Sequence, residues 1–461
     1  MRPSLGTVAR VSFQIAISAV LLSGCRTHFE AHKTASDVPE MFQATTLLSD
    51  AGWCWYQDPR VVISNGKLIV GGISGIDGDV KVGVYDLETG LFEGQTTLHP
   101  EFEIDDHDAP VFHIRDDNSL VAMWAKHGRE TEHYYAISEP DDYLNWGETQ
   151  TFTHPFELPK GSEWGGVTYM NLYEINAQNK VYNFYRNGPD YNPNFITSDD
   201  DGSSWSRPTH FLSDEVDGTQ RPYARYVQVD KDTIGVSFTD AHPRNYGNSL
   251  YYAEFDGTSF SSANGEWVND LSSGPLRTSI AEKVFKGSES ALKPDGFGSV
   301  PGAAWTIDVE VDGQSNPHIG YSLYNSNQDN RFRLASWTGS DWNDREIAYA
   351  GPHLYEVEAS YTGLLAIDPD DPQNITISTN VDPNKGGSPT GTHEIYMARI
   401  ESDDSTDTIE WIPVTTSSEE RNIRPIIVTG EGYKVLLWMQ GRYTHFQDFD
   451  TDIVGTVLAK P

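Results

Sequence analysis

The chain has 461 residues, a formal net charge of −36, 12% aromatic residues and 40 glycines. A chain this acidic repels a phosphate backbone, so its overall charge argues against nucleic acid as a partner. Its two cysteines, Cys25 and Cys54, are too few for a cysteine-based zinc site.

The first 25 residues have the layout of a bacterial export signal. Arg2 and Arg10 precede an apolar run, VSFQIAISAVLL, and the segment closes on Leu-Ser-Gly-Cys. The run is too short and wrongly flanked for a membrane span. Its end resembles a lipobox, in which Cys25 is lipidated and becomes the mature N-terminus. We therefore expect residues 26–41 to be a tether. The protein would be exported and lipid-anchored to a bacterial membrane, the outer one by expectation, or secreted if the signal is a plain one.

From residue 42 onward, short β-branched and aromatic runs alternate with turns in two recurring series. One series is an Asp/Gly turn followed by an aromatic residue: Phe92, Trp146, Trp205, Phe260, Trp342 and Trp411. The other is a strand that recurs seven times, from LIVGGISG to VLLWMQGRYTHF. These repeats predict an all-β fold, a seven-bladed β-propeller of four-stranded blades that forms one catalytic domain over residues 42–461. The passage MFQATTLLS would complete the last blade.

One of these turns, SDDDGSSW at residues 198–205, fits the Asp-box pattern S-x-D-x-G-x-x-W. A carboxylate would close the hairpin turn, Gly202 would take a positive φ, and Trp205 would pack beneath the turn. This role is structural, and we assign no catalysis to it.

In a propeller, the start of each innermost strand and the end of the second strand open on one face. Comparing blades two to four at these positions gives histidine, tyrosine and arginine side chains: His107, His127, Tyr169, Arg186, Arg221, Tyr223 and His242. Blade seven adds Arg442, Tyr443 and His445. Because the rest of the chain is acidic, we interpret this face as a candidate site.

The residue types at this face suit β-elimination better than glycoside hydrolysis. Hydrolysis normally needs two carboxylates beside the scissile bond, and no such pair is evident. Elimination from a uronic acid needs a cation to neutralise the C6 carboxylate, and arginine binds carboxylate with a bidentate fork. It also needs a base for the C5 proton and an acid for O4, roles that histidine and tyrosine can fill.

Several passages together resemble the propeller-fold ulvan lyases, relatives of the BNR-repeat proteins: GWCWYQDPR, HDAPVFHI, WAKHG, RPYARY, TDAHPRN and GRYTHF. The similarity runs from about residue 45 to the end of the chain. It implies cleavage of ulvan, a sulfated polymer of rhamnose and uronic acid, by β-elimination.

By matched position, the resemblance implies that Tyr169 transfers the proton with His107 as its partner. Arg186 would neutralise the carboxylate and His127 would line the same pocket. From their positions at the strand ends, we expect Arg221 and His242 to bind substrate. A further family tyrosine falls within RPYARY; the strand register favours Tyr223 and the chain spacing favours Tyr226.

The resemblance implies no cofactor for the chemistry. Some relatives carry structural metal ions, but the ligands of any such ion in this chain stay unassigned. Two other classes remain open, an exo-sialidase and a non-catalytic glycan-binding propeller.

Overall fold

Short β-strands dominate the computed structural model, which describes residues 43–461 other than 163, 189–190, 217–219, 291–297, 356–359 and 402–405. The predicted signal peptide, the lipidation site Cys25 and the tether lie outside the described residues. Within the described ranges, no helix is long and apolar enough to cross a membrane. The only helical elements there are single 3₁₀ turns, at Asp106–Asp108, Asn176–Gln178, Leu271–Ser273 and Thr406–Thr408.

The first three blades are antiparallel sheets whose strands follow the chain outward from the innermost strand. Blade one contains β2 (Val61–Ser64), β3 (Lys67–Ile73), β4 (Val80–Asp86) and β5 (Leu91–His99). Blade two contains β6 (Val111–Ile114), β7 (Leu120–Trp124), β8 (Glu132–Glu139), β9 (Asp142–Trp146) and β10 (Gln150–Thr153). Blade three contains β11 (Thr168–Ile175), β12 (Lys180–Arg186), β13 (Pro193–Ser198) and β14 (Thr209–His210).

Blade four carries the insertion that separates it from blade five. Its strands are β16 (Tyr223–Asp230), β17 (Thr233–Thr239), β18 (Leu250–Phe255), β19 (Ser259–Ser261), β20 (Trp267–Asp270) and β22 (Glu282–Phe285). A small parallel pair joins β15 (Leu212–Ser213), which precedes β16 in the sequence, to β21 (Leu276–Arg277), which lies between β20 and β22. The inserted residues thus form additional strands at the outer side of the blade, away from the innermost strand.

The remaining blades return to four strands each. Blade five contains β23 (Ala303–Val311), β24 (Pro317–Ser326), β25 (Asp329–Trp337) and β26 (Trp342–Gly351). Blade six contains β27 (Leu365–Ile367), β28 (Asn374–Thr379), β29 (Glu394–Arg399) and β30 (Ile412–Pro413). Blade seven contains β31 (Arg421–Gly430), β32 (Tyr433–His445), β33 (Asp448–Ala459) and β1 (Thr45–Leu48). The predicted seven-bladed propeller is confirmed.

The N-terminal strand closes the ring, as its sequence predicts. β1 pairs antiparallel with β33, with Thr45 opposite Gly455 and Thr46 opposite Val454. The first and last described strands therefore share one sheet. This pairing covers the edge of β33, which would otherwise expose unpaired backbone groups.

The Asp-box turn of blade three has the predicted geometry. Ser198 Oγ donates to Asp200 Oδ1 at 2.8 Å, and that carboxylate accepts the Ser204 amide at 2.8 Å. Gly202 has a φ of 83°, and a Cβ there would lie 2.5 Å from Val121 Cγ2, so only glycine fits. Trp205 packs against the core between blades two and three. The turn therefore fixes the joint between two blades.

A segment at residues 53–60, here called the channel segment, lies across the centre of the propeller. Trp53 Nε1 donates to the Arg424 carbonyl, Tyr56 OH donates to the Thr306 carbonyl at 3.0 Å, and Asn171 Oδ1 accepts the Asp58 amide at 2.9 Å. These partners belong to blades seven, five and three. The segment therefore packs against the innermost strands and divides the central channel; Cys54 within it is fully buried.

Candidate active site

A cavity of about 350 Å³ lies where the innermost strands of blades three and four begin. Its lining holds three histidines, three arginines and four tyrosines, together with Gly128, Trp164, Thr168 and Phe446. The ionisable side chains are His107, His127, His242, Arg186, Arg221, Arg244, Tyr169, Tyr191, Tyr223 and Tyr361. No aspartate or glutamate is among the described lining residues. This cavity, called the candidate cavity below, is locally basic in an acidic protein.

The backbone of blade three brings Tyr169 and Arg186 together. Thr168, at the start of β11, pairs with Arg186, at the end of β12, and the register shifts between Thr168 and Asn171. Tyr169 occupies this bulge with a φ of 63°, a left-handed conformation that costs a residue with a large side chain of order 1–3 kcal/mol. The Asn171 side chain holds the bulge, because its Nδ2 donates to the Tyr169 carbonyl at 2.8 Å. Backbone strain therefore coincides with a predicted site residue.

Arg186 lies between two tyrosine rings. Its guanidinium carbon is 4.5 Å from the ring centre of Tyr169 and 4.4 Å from that of Tyr223. The side chain is buried, and its Nη2 has no hydrogen-bond partner among the described residues. Burial opposes the charge, but the phenols of Tyr223 and Tyr169 raise the pKa of Arg186. The result is a buried cation with donor capacity left for an anionic ligand.

His107 and His127 form a stacked pair over one carboxylate. Their ring centres are 3.6 Å apart and the rings are 12° from parallel. Asp105 accepts from both Nδ1 atoms, at 2.6 Å through Oδ1 for His107 and at 3.1 Å through Oδ2 for His127. Gln447 Nε2 donates to Oδ2 of the same carboxylate at 3.2 Å. Since Asp105 is an acceptor, each imidazole carries a proton on Nδ1.

The two histidines differ in charge. Although burial disfavours a charged imidazole, Cys54, Tyr169 and the two neighbouring carboxylates raise the pKa of His107 well above its ordinary value. Burial and the His107 cation lower the pKa of His127 to about 4. At neutral pH, His107 is therefore an imidazolium, whereas His127 is neutral and its Nε2 can accept a proton.

The two tyrosines beside Arg186 also differ. Burial raises the pKa of Tyr169 above its ordinary value, although His107 and Arg186 oppose that shift. Burial also opposes ionisation of Tyr223, but the three arginines of the candidate cavity lower the pKa of Tyr223 to about 8. One phenol is thus suited to donate a proton and the other to accept one.

Among the described residues, two groups of side chains near the cavity are close enough to hold a metal ion, Asp105 with His107 and His127, and Cys54 with Asp106 and His107. In the first group, the donor atoms face one another as hydrogen-bond partners at 2.6 and 3.1 Å. Zinc would replace those bonds with metal–nitrogen distances of about 2.0–2.1 Å. A structural metal ion therefore stays an untested expectation.

Of the eight catalytic and substrate-binding residues predicted from sequence, seven line the candidate cavity. Tyr226 does not, because its ring stacks on Phe184 at 4.7 Å within the core between blades three and four. Tyr223 is therefore the tyrosine of this strand that faces the cavity. In blade seven, Tyr443 is buried with its hydroxyl 2.5 Å from Asp106 Oδ2, and Phe446 is the residue that lines the cavity.

Sequence reasoning missed Asp105, Trp164, Tyr191, Arg244 and Tyr361. Asp105 precedes the 3₁₀ turn that carries His107, and Trp164 and Tyr191 lie in loops between strands. Loops lack the period-two pattern that locates a side chain on a strand. Arg244 follows His242 closely in DAHPRN, and this proximity was the one available signal.

The comparisons with known proteins agree with this architecture. A solved ulvan lyase of polysaccharide lyase family PL25 has a TM-score of 0.63 and 16% identity, covering 89% of this chain and 95% of the other. Its complex with -[GlcA(1-4)Rha3S]- has a TM-score of 0.62, with 16% identity and the same coverage. Polysaccharide lyase Uly1 has a TM-score of 0.53 and 10% identity, covering 87% of this chain and 90% of the other.

These identities show the fold alone, and no curated protein sequence matches the chain. The model of the BNR repeat-containing family matches residues 54–350, from the channel segment to the end of blade five. Because this match covers well over half of the sequence, the chain belongs to the BNR repeat-containing family.

Proposed function

We propose that the protein is a polysaccharide lyase that cleaves ulvan by β-elimination and leaves an unsaturated uronate end. The observation that carries this proposal is the buried Arg186 between two tyrosines whose pKa values are shifted in opposite directions, in a cavity whose described lining lacks carboxylates. The fold similarity to two polysaccharide lyases, one solved with a sulfated rhamnose–glucuronate fragment, supports it.

In this mechanism, Arg186 binds the C6 carboxylate of the uronate and Arg221 adds positive charge on the same side. Neutralising the carboxylate makes the C5 proton acidic, and the cation stabilises the charge that develops in the transition state. Arginine suits the role because its planar fork binds carboxylate bidentately and stays charged.

Tyr223, as the phenolate, removes the C5 proton. The electron pair of the C5–H bond forms the C4–C5 double bond, and the C4–O4 bond breaks with its electrons left on O4. Tyr169 donates its proton to O4, and the imidazolium of His107 stabilises the phenolate that remains. The assignment follows the difference between the two pKa values. His127 and His242 contact the sugar.

A glycosidase is the main alternative, because three arginines line the candidate cavity as an exo-sialidase would require. A sialidase tyrosine needs a glutamate partner, and the described lining contains none. A retaining or inverting hydrolase of the usual kind would also need two carboxylates in the cavity. β-Elimination needs only the arginine, tyrosine and histidine side chains that line the candidate cavity.

A product assay tests the proposal. Incubation with ulvan should generate ultraviolet absorbance from a double bond conjugated to the carboxylate, whereas a sialidase or a glycan-binding protein generates none. Other uronate polymers and a sialoside serve as controls. Reducing ends that appear without the absorbance would indicate hydrolysis and would refute the lyase.

Attachment to the cell surface is part of the same proposal. The Leu-Ser-Gly-Cys sequence at residues 22–25 motivates it. Replacing Cys25 by serine should release the protein from the membrane fraction or block its processing. A wild-type protein that carries no lipid and is found fully soluble would contradict the anchor.

A further inference from the structure

One wall of the candidate cavity is aromatic, and the proposed chemistry does not use it. Trp164 and Tyr191 both lie against Gly128: a Cβ there would be 3.8 Å from Trp164 Cε3 and 3.9 Å from Tyr191 Cε1. Both rings line the cavity. Neither donates or accepts the protons of the elimination, so the wall has another role.

Trp164 is unusual among the exposed apolar side chains. The described residues include eight large hydrophobic side chains that are exposed, and Trp164, at 39%, is the one among them that lines the candidate cavity. Single exposed hydrophobic residues are common on any surface. An exposed indole inside a polar cavity is a binding feature instead, because it offers a flat apolar face to a ligand.

The wall is held in place before any ligand binds. The Arg129 guanidinium lies 4.1 Å from the Trp164 ring centre, and Glu103 pairs with Arg129 at 3.3 Å. The His127 ring meets the indole edge at 5.4 Å and 84°. Two consecutive backbone amides, of residues 165 and 166, donate to the Gly128 carbonyl at 3.1 and 2.9 Å. Such preorganisation lowers the entropy cost of binding.

The location of Trp164 defines which sugar would contact it. The carboxylate of the uronate is assigned to Arg186, between Tyr169 and Tyr223, whereas Trp164 adjoins His127 at the other side of the histidine pair. Tyr169, which serves O4, adjoins both places: its ring centre is 4.5 Å from the Arg186 guanidinium carbon and 6.0 Å from the ring centre of His127. The sugar joined to O4 therefore extends toward Trp164.

We infer that Trp164 and Tyr191 form a subsite for the pyranose attached to O4 of the uronate, the sugar that leaves. This inference rests on the proposed function. The flat apolar face of the indole suits the apolar C–H face of a pyranose ring.

The test compares Trp164→Ala and Trp164→Phe with Trp267→Ala. Trp267 is 65% exposed on β20 and does not line the cavity, so it controls for loss of an exposed indole. For each variant, kcat and KM on ulvan and the Kd for ulvan are measured, with thermal unfolding as a check on folding. Trp164→Ala should raise KM and Kd about tenfold with kcat within about twofold, a change of roughly 1.4 kcal/mol. Trp164→Phe should give KM and Kd values between those of Trp164→Ala and wild type, and Trp267→Ala should match wild type.

The outcomes separate this inference from the proposed function. Wild-type turnover of ulvan combined with unchanged KM and Kd in folded Trp164→Ala would overturn the subsite and leave the lyase intact. Weaker ulvan binding in Trp164→Ala with no wild-type elimination would support the sugar platform and overturn the lyase. An equal loss of affinity in Trp267→Ala would also overturn the subsite, because the effect would not be specific to the cavity.

Discussion

Two cavities lie along the central channel and each is lined by three arginines, but the arginines have different partners in the two cavities. The second cavity, of about 390 Å³, lies between the later parts of the innermost strands and contains Arg60, Arg225 and Arg424. There, Arg225 pairs with Asp58 and, at 3.1 Å, with Asp308. In the candidate cavity, Arg186 and Arg221 have no carboxylate partner among the described residues.

This difference separates structural charge from functional charge. A buried ion pair neutralises itself, and removing one partner strands the other at a cost of about 3–5 kcal/mol. A buried arginine without an acidic partner among the described residues keeps its charge available for an anionic ligand, as the proposed function requires. The channel segment divides the two environments, with Tyr56 beside Tyr169 at 5.4 Å and Asp58 joined to Arg225.

The largest expected effect is on turnover and is confined to the candidate cavity. Tyr169→Phe keeps the ring and removes the proton donor, so kcat on ulvan should fall roughly 10²–10⁴-fold with KM little changed. Tyr173→Phe is the matched control, because Tyr173 lines the second cavity and donates to the Tyr226 carbonyl at 2.9 Å. Near-wild-type kcat in Tyr169→Phe would remove Tyr169 from the mechanism.

The free energy of unfolding should respond more to substitutions in the second cavity than to substitutions in the candidate cavity. Arg225→Gln leaves Asp308 without its ion-pair partner, while Asp58 keeps Arg60 at 3.1 Å, and should lower the free energy of unfolding by about 3–5 kcal/mol. Arg186→Gln should lower it by no more than about 1 kcal/mol, since lost cation–π contacts are offset by relief of an unpaired buried charge. Denaturant unfolding measures both. Equal destabilisation by the two substitutions would erase the distinction between the cavities.

The pH dependence of kcat/KM should reflect the arginines around Tyr223, because they lower its pKa. Because the base acts when deprotonated, kcat/KM should rise with pH through the pKa of Tyr223, about 8. Arg221→Gln removes one charge that lowers this pKa, so the midpoint should move upward by about one pH unit at most. Tyr223→Phe should abolish this rise of kcat/KM with pH. A midpoint that stays in place in Arg221→Gln would contradict electrostatic tuning.

The smallest effect expected is that of salt. A sulfated polyanion approaching the candidate cavity is attracted by charges that salt screens beyond about 8 Å at physiological ionic strength. KM should therefore rise with salt while kcat changes less. A salt-independent KM would show that the local positive charge does not steer substrate.

The strand repeats and the turn chemistry were readable from sequence because they are local. Asn65 and Gly66, at φ of 51° and 71°, form the kind of two-residue turn that joins β2 to β3. The Asp-box around Asp200 has its predicted bonds, and β1 completes blade seven. Comparing strand ends between blades was enough to bring seven predicted residues to one cavity.

Only the tertiary structure decided how those residues are used. Tyr223 and Tyr226 are three positions apart, so a period-two strand sends them to opposite faces, and the sequence does not say which face meets the channel. Asp105 accepts from two histidines of different elements, and their charges differ because burial and the His107 cation, 3.6 Å away between ring centres, lower the pKa of His127. Sequence determined the propeller because turns, and most strand pairings within a blade, join segments that are neighbours in the chain. Protonation and pairing of charges were left to the fold because both depend on neighbours brought from other blades.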